Sequence, residues 1–539
     1  LLSDKPGVRV AGDWTNRDGY SFNETTEQPI YGRDLWSSRV TIGFHPIERL
    51  KAYAIWEHFE EKDDRVRSAK QLCKKDPGPT SVDGMDITNL PLAEASFVVS
   101  ATAFFRASLS QGCLPTSFYS PDAYETPNGQ AIPFVFADEF LFNGAGGSAE
   151  GGFLLNEVDP YASNFQSRNL RVIQSDLSPT YSAKNDVIEF DADFAVTPEL
   201  PLTSQTGYNK DQLRSTEDFN RFNTVPGLFS HTEGVPDAGF FYEPSIAPGG
   251  MFCDPQLGCS SKMVGEDLSQ EGAWQFNQEL RLSSNFSGPL NFSVGANYMH
   301  YQTVEDYYIF FNLITATIQL VNKSTPGDLT HAHTCDPGSS CDTVTTISPE
   351  PFTFDLGNGP IGLPANFIIA SRPDGSMPYA YIDPNPIDAI DGQGHNYFRS
   401  ENPYHLNSFA GFGEVYYQLT PDLKLTGGLR WTDDRKEFWN IPSWVFLQGG
   451  GYPVENIVKQ GWQEFTGRFV ANWTPKLDFT DESMFYASYA RGYKGGGANP
   501  PGPHAALFAG QSFVTHPATF APEFVNAYEL GSKNTLLDS

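Results

Sequence analysis

No stretch of this chain approaches the roughly 18 consecutive apolar residues of a membrane-crossing helix. The longest candidate, Tyr307 to Ile318, runs for about a dozen residues and is interrupted by Asn312, which leaves a soluble protein or a β-barrel. Positive charge is also scarce. Thirty-five Lys and Arg stand against 65 Asp and Glu, a net charge of -30, which disfavours nucleic acid and anionic lipid as direct partners and suits a cationic, neutral or metal-chelated ligand. Catalytic signatures are missing. The ten His are scattered, with no HExxH, no GxSxG and no clustered carboxylate pair away from strand faces, so no enzyme is expected. Gly144-Ala-Gly-Gly147, Gly449-Gly-Gly451 and Gly495-Gly-Gly497 lack a strand-to-helix context and read as flexible surface segments, not phosphate cradles, and no cofactor is expected.

Cysteines number only six. Cys253 and Cys259, like Cys335 and Cys341, are separated by five residues that include Pro and Gly, a spacing that lets a tight loop close on a disulfide in an oxidising compartment. The pairing of Cys73 with Cys113 stays open at this point. His331 and His333 beside Cys335 are a conceivable metal grip, but Cys335 has a ready disulfide partner, so no metal site is expected.

What the chain does have is aromatic content of 14% with abundant Gly, Asn, Ser and Thr, a composition of strands and turns. At 539 residues it has room for about three or four soluble domains or for one large barrel. Period-2 alternation decides between them. Ile188, Phe190, Ala192, Phe194 and Val196 share one face, while Glu189, Asp191 and Asp193 share the other. The same parity rule places Glu279 and Arg281, Glu414, Arg430, Glu464 and Arg468, then Glu529 and Lys533, opposite the apolar residues of their own segments.

About twelve strands follow from this pattern, near residues 7–15, 36–45, 49–59, 185–197, 200–209, 273–284, 290–301, 406–419, 422–437, 461–474, 483–493 and 523–534. Connections alternate between short ones, such as Thr197-Pro-Glu199 and Thr420-Pro-Asp422, and long ones, such as 60–184, 210–272 and 302–405. In an antiparallel meander, alternate connections lie at opposite ends, so one end is tight and the other carries long loops. An outer-membrane β-barrel has that asymmetry, with its apolar face to lipid and its polar face to the lumen. Trp431, Trp462 and Trp473 near strand ends are candidates for the interfacial aromatic girdles.

Specific segments carry a family resemblance. Trp274-Gln-Phe-Asn-Gln-Glu-Leu-Arg-Leu-Ser283, Gly427-Gly-Leu-Arg-Trp-Thr432, Thr466-Gly-Arg468, Tyr486-Ala-Ser-Tyr-Ala-Arg-Gly-Tyr-Lys-Gly-Gly-Gly-Ala-Asn-Pro500 and Pro522-Glu-Phe-Val-Asn-Ala-Tyr-Glu-Leu-Gly-Ser-Lys533 resemble, in order, barrel strands of TonB-dependent receptors. The resemblance implies an all-β fold, an antiparallel transmembrane barrel of roughly 22 strands, plugged by an N-terminal domain and coupled to the TonB complex by an upstream segment. The chain begins without a signal peptide in what reads as a barrel turn, Ser3-Asp-Lys-Pro6. The expectation is therefore that residues 1–539 are part of such a barrel, with plug, TonB-contacting segment and further strands outside it.

The resemblance implies TonB-coupled import of a scarce solute, such as a siderophore, carbohydrate or vitamin, across the bacterial outer membrane. Glu189, Asp191, Asp193, Glu279, Arg281, Glu414, Arg430, Glu464, Arg468, Glu529 and Lys533 are then expected to face the lumen and contact the plug. Phe240, Phe241, Tyr242, Tyr307 and Tyr308 are candidate loop aromatics for ligand stacking. Expected partners are the TonB complex, outer-membrane lipid, a small-molecule ligand and a surface lipoprotein or other outer-membrane protein. A passive porin-like channel and a secreted β-rich binding or adhesion protein are the competing readings.

Overall fold

The computed structural model describes residues 6–536 apart from 69, 83–84, 89–105, 133–151, 154–158, 163, 231–238, 240, 325–344, 347–351, 356–359, 364–369, 372–381, 391–397, 441–455 and 500–518. Twelve long strands form one antiparallel sheet: β1 (Gly7–Arg17), β2 (Arg33–Ile47), β3 (Leu50–Asp63), β4 (Thr180–Thr197), β5 (Leu200–Asp218), β6 (Gly265–Ser283), β7 (Leu290–Phe311), β8 (Phe398–Thr420), β9 (Leu423–Asn440), β10 (Asn456–Trp473), β11 (Glu482–Lys494) and β12 (Glu523–Thr535). Each pairs with its neighbours in chain order, an up-and-down meander. Among the described residues, β1 pairs only with β2 and β12 only with β11, so the sheet is not closed.

Register confirms the two faces. Ile188 lies opposite Trp56 and Tyr208, and Tyr208 opposite Phe276, so apolar residues of four strands share one surface. Leu280, Val294, Phe409, Leu429, Phe465 and Phe469 continue that surface and are exposed, as a lipid-facing wall requires. At its loop-side margin nearly every strand places one ring on this face: Trp14, Trp36, Trp56, Tyr208, Trp274, Tyr298, Phe409, Trp431, Phe465, Tyr489 and Tyr528. Trp431 thus belongs to the girdle, and Trp473 lies at the opposite margin, 5.7 Å from Phe485. Trp462 does not. Its even number puts it beside Glu464 and Arg468 on the other face, next to Gly496.

The strands of the middle of the sheet run well past the girdle at the long-loop end. β7 continues to Phe311 and passes directly into a helix, α1 (Asn312–Ser324). Asn312 fastens this junction: its Nδ2 donates to the Lys262 carbonyl at 2.8 Å and its Oδ1 accepts the Val264 N–H at 3.0 Å. Because the sheet gives one face to lipid and the other to the lumen, the densest apolar packing lies in the loops. Leu228, Phe229, Phe241, Phe252, Met263, Leu313 and Ala316 form a buried cluster there.

Candidate functional site

The lumen wall is the polar face of the sheet, and register assembles it row by row. In one row Arg281, Gly295, Phe412, Arg430 and Thr466 stand side by side on five strands. Gly295 leaves room for the Phe412 ring, whose Cζ lies 2.6 Å from where a Cβ would sit. The Arg430 guanidinium rides over that ring at 5.6 Å, and Lys424 rides over Tyr416 at 5.0 Å. One row toward the short turns, Glu414, Gly428 and Arg468 are aligned on β8, β9 and β10, and Arg468 pairs with Glu414 across the glycine at 2.8 and 3.0 Å.

All eleven charged residues expected on the lumen side share that face: Glu189, Asp191, Asp193, Glu279, Arg281, Glu414, Arg430, Glu464, Arg468, Glu529 and Lys533. Their signs are mixed on β6, β10 and β12, but the balance of sign shifts across the sheet. The β3 to β7 wall carries Glu57, Glu189, Asp191, Asp193, Asp211, Glu271 and Glu305 with the bases Lys51 and Arg281 among them, whereas β9 and β10 carry Lys424, Arg430, Lys436 and Arg468 with the acids Asp434 and Glu464.

The five candidate ligand aromatics do not form one surface. Phe241 is fully buried, 5.6 Å from Phe229 in the loop core. Tyr242 pairs with Gly152 in a short strand ladder, and Phe240 lies outside the described residues. Tyr307 and Tyr308 are in β7, not in a loop, and therefore point to opposite faces. The Tyr307 hydroxyl donates to Asp267 at 2.9 Å on the lumen side. Tyr308 is buried on the other side, where it donates to Asp306 beneath the Arg399 guanidinium.

Aromatic residues missed in the sequence line the upper lumen instead. Tyr301, Tyr404 and Phe438 form a ladder with ring centroids 6.0 and 4.7 Å apart, and Phe398 lies 6.1 Å from Tyr307. Extending the parity of Asn297 and Met299 past residue 301 is the signal that finds them.

Buried ionisable groups fix the loops at the mouth, beyond the girdle. Glu217 accepts the Arg67 and Ser68 N–H groups at 2.8 and 3.1 Å, and Arg67 pairs with Asp267. Burial pushes Asp218 up to about 6 and Glu266 up to about 7, with Asp176 adding to the first and Asp218 and Asp267 to the second. Burial lowers the Lys70 ammonium to about 8, although it donates to the Val172 carbonyl at 2.8 Å. Disulfides join Cys73 to Cys113 and Cys253 to Cys259; Cys335, Cys341, His331 and His333 lie outside the described residues. Among the described residues, no group of three or more His, Cys, Asp or Glu is arranged to hold a metal.

No curated protein matches the chain. Three solved structures are similar over its whole length: the ferric yersiniabactin uptake receptor FyuA from Yersinia pestis (10% identity, TM-score 0.46), the siderophore receptor PiuA from Acinetobacter baumannii (12%, 0.45) and the ferric-catecholate import receptor Fiu from E. coli K12 (11%, 0.45). The chain spans about half the length of each, covering 49%, 52% and 53% of them respectively. The family model for the TonB dependent receptor-like β-barrel matches residues 122–539, and the chain belongs to that family of outer-membrane receptors.

Proposed function

We propose that the protein imports a scarce solute by TonB-coupled active transport, with the long loops and upper lumen capturing the ligand and a plug occupying the lumen. The observation that carries this reading is the lumen wall. Acids outnumber bases on β3 to β7 and bases outnumber acids on β9 and β10, a patterned wall of mixed sign that suits a seated globular body better than a water-filled pore. Glu189, Asp191, Asp193, Glu279, Arg281, Glu414, Arg430, Glu464, Arg468, Glu529 and Lys533 are the contacts we assign to that plug. The Tyr301, Tyr404 and Phe438 ladder is the ring platform on which a siderophore, carbohydrate or vitamin entering from the loops stacks first.

The test is accumulation of radiolabelled ferric chelates, oligosaccharides and corrinoids by cells that express the protein, with and without TonB and with a protonophore. Import predicts accumulation against a gradient that stops in both treatments. Flux that follows the gradient and ignores TonB supports a porin instead.

A further inference from the structure

Between Arg281 and the loops, every charged residue on the lumen face of β5 to β8 is an acid. Three of them gather beside the ring ladder. Glu271 and Glu305 stand directly opposite each other on β6 and β7, and Asp211 on β5 is the diagonal neighbour of Glu271. Like charges placed this way repel unless something positive lies among them. Thr303 donates to Glu271 at 3.2 Å, and the charges of Glu271, Asp211 and Glu305 all act on the Tyr301 hydroxyl, so the three carboxylates converge on that ring. Burial, with the Glu271 charge beside it, raises the Asp211 carboxyl.

No base answers them. Among the described residues, none of the three has a Lys, Arg or His nitrogen within ion-pair distance. Arg67 is held by Asp267, and Arg399 lies on the other face against Asp306. The Lys436 ammonium, in the row of Tyr301, donates to the Gly496 carbonyl at 2.7 Å.

Two further features point to an occupant. One row above Glu271, Ser215 is 1% exposed on the same face, and among the described residues its hydroxyl has no partner. The rings of Tyr301, Tyr404 and Phe438 wall the space toward β9, and Tyr307 stands one row above Glu305. Carboxylates without a counter-charge beside aromatic faces suit an organic cation, whose diffuse charge satisfies both. Among the described residues, no three carboxylates are arranged to hold a bare metal ion.

We propose that this corner of the upper lumen seats an ammonium or guanidinium group of the imported solute, so that the protein prefers cationic solutes to anionic ones. Asp211, Glu271 and Glu305 supply the counter-charge, Tyr301 and Tyr404 the ring faces, and the Ser215 hydroxyl accepts a hydrogen bond. That the occupant is the imported solute rests on the import reading; its binding does not.

Saturation-transfer NMR on the protein in a neutral detergent, folded as judged by heat-modifiable migration, tests this with benzylammonium, benzyl alcohol and benzoate, which share one ring and differ in charge. Wild type is expected to bind benzylammonium at least about tenfold more tightly than the other two. The variant D211N/E271Q/E305Q is expected to lose at least about tenfold of that affinity, while E437Q, an acid on the outer face of β9, stays as wild type. Equal binding of the alcohol or of benzoate overturns the proposal, as does the absence of benzylammonium binding. So does an unchanged affinity in the triple variant, or an equal loss in E437Q. Charge-selective binding by a protein whose uptake ignores TonB keeps the cation seat and removes only the coupled import.

Discussion

Arg468 reaches Glu414 over the top of a glycine. The two residues lie on β10 and β8, with Gly428 of β9 between them in the same row, and the guanidinium meets both carboxylate oxygens at 2.8 and 3.0 Å. A Cβ on Gly428 falls 2.9 Å from Glu414 Oε2. The second glycine of Gly427-Gly428 is therefore the opening through which a two-strand ion pair passes.

That geometry sets the first prediction. Arg468 is more than half exposed, so removing the pair with Glu414→Gln costs under about 1 kcal/mol. Gly428→Val blocks the passage and abolishes the same pair, so Glu414→Gln added to Gly428→Val brings no further loss. Urea unfolding followed by heat-modifiable migration measures the cycle; additive losses show that the glycine acts independently of the bridge.

The mouth of the lumen should loosen as pH rises. The carboxyls of Asp218 and Glu266, on the segments of β5 and β6 beyond the girdle, are raised by burial to about 6 and about 7. A raised carboxyl favours the folded state fully below its unfolded value and loses that contribution as pH rises through the folded value. Asp176, Asp267 and Arg214 also act on the pair, the acids raising and the arginine lowering. Hydrogen-exchange protection of residues 211–218 and 265–272, taken relative to the unfolded-chain rate at each pH, should fall between pH 5 and 8, conditions set by these two values. Glu266→Gln should flatten the upper part of that curve, and an unaltered curve in this variant contradicts the assignment.

The Cys73–Cys113 disulfide spans 40 residues of loop, a closure that on chain-entropy grounds contributes about 3–4 kcal/mol. Replacing both with Ser should expose the loop to limited proteolysis while the strands keep their heat-modifiable migration. Cys253–Cys259 closes only six residues and should matter less.

Phe241 has zero exposure and packs against Phe229 and Leu228, so Phe241→Ala should open a cavity and cost the loop core about 3–5 kcal/mol. Tyr404→Ala, in the lumen ladder, should instead weaken ligand capture with little change in loop protease resistance. The reverse pattern returns Phe241 to the ligand site.

The sequence made the twelve strands and the sidedness of their charges legible because lipid imposes apolar residues at every second position. Where the strands leave the bilayer that pressure ends. Outward positions such as Gln212, Arg214, Gln270 and Glu401 are polar, alternation fades, and Gln302 to Phe311 reads as loop although it is strand. Tyr307 and Tyr308 read as neighbours on one loop for that reason. The excess of acid on β3 to β7 is hidden too, because it emerges only when strands far apart in sequence are placed in order. Trp462 shows the limit of composition: a Trp near a strand end suits a girdle, yet parity with Arg468 puts it in the lumen.

The two-faced wall is the central claim, and single-cysteine labelling along β9 and β10 tests it most directly. Intact cells carrying Leu429→Cys, Arg430→Cys, Phe465→Cys or Thr466→Cys are treated with a membrane-impermeant maleimide and, separately, with a lipid-soluble one. Cys at 429 and 465 should react only with the lipid-soluble reagent, while Cys at 430 and 466 should react with the impermeant reagent once the lumen is opened by urea. Equal labelling of neighbouring positions by the impermeant reagent contradicts the two-faced wall.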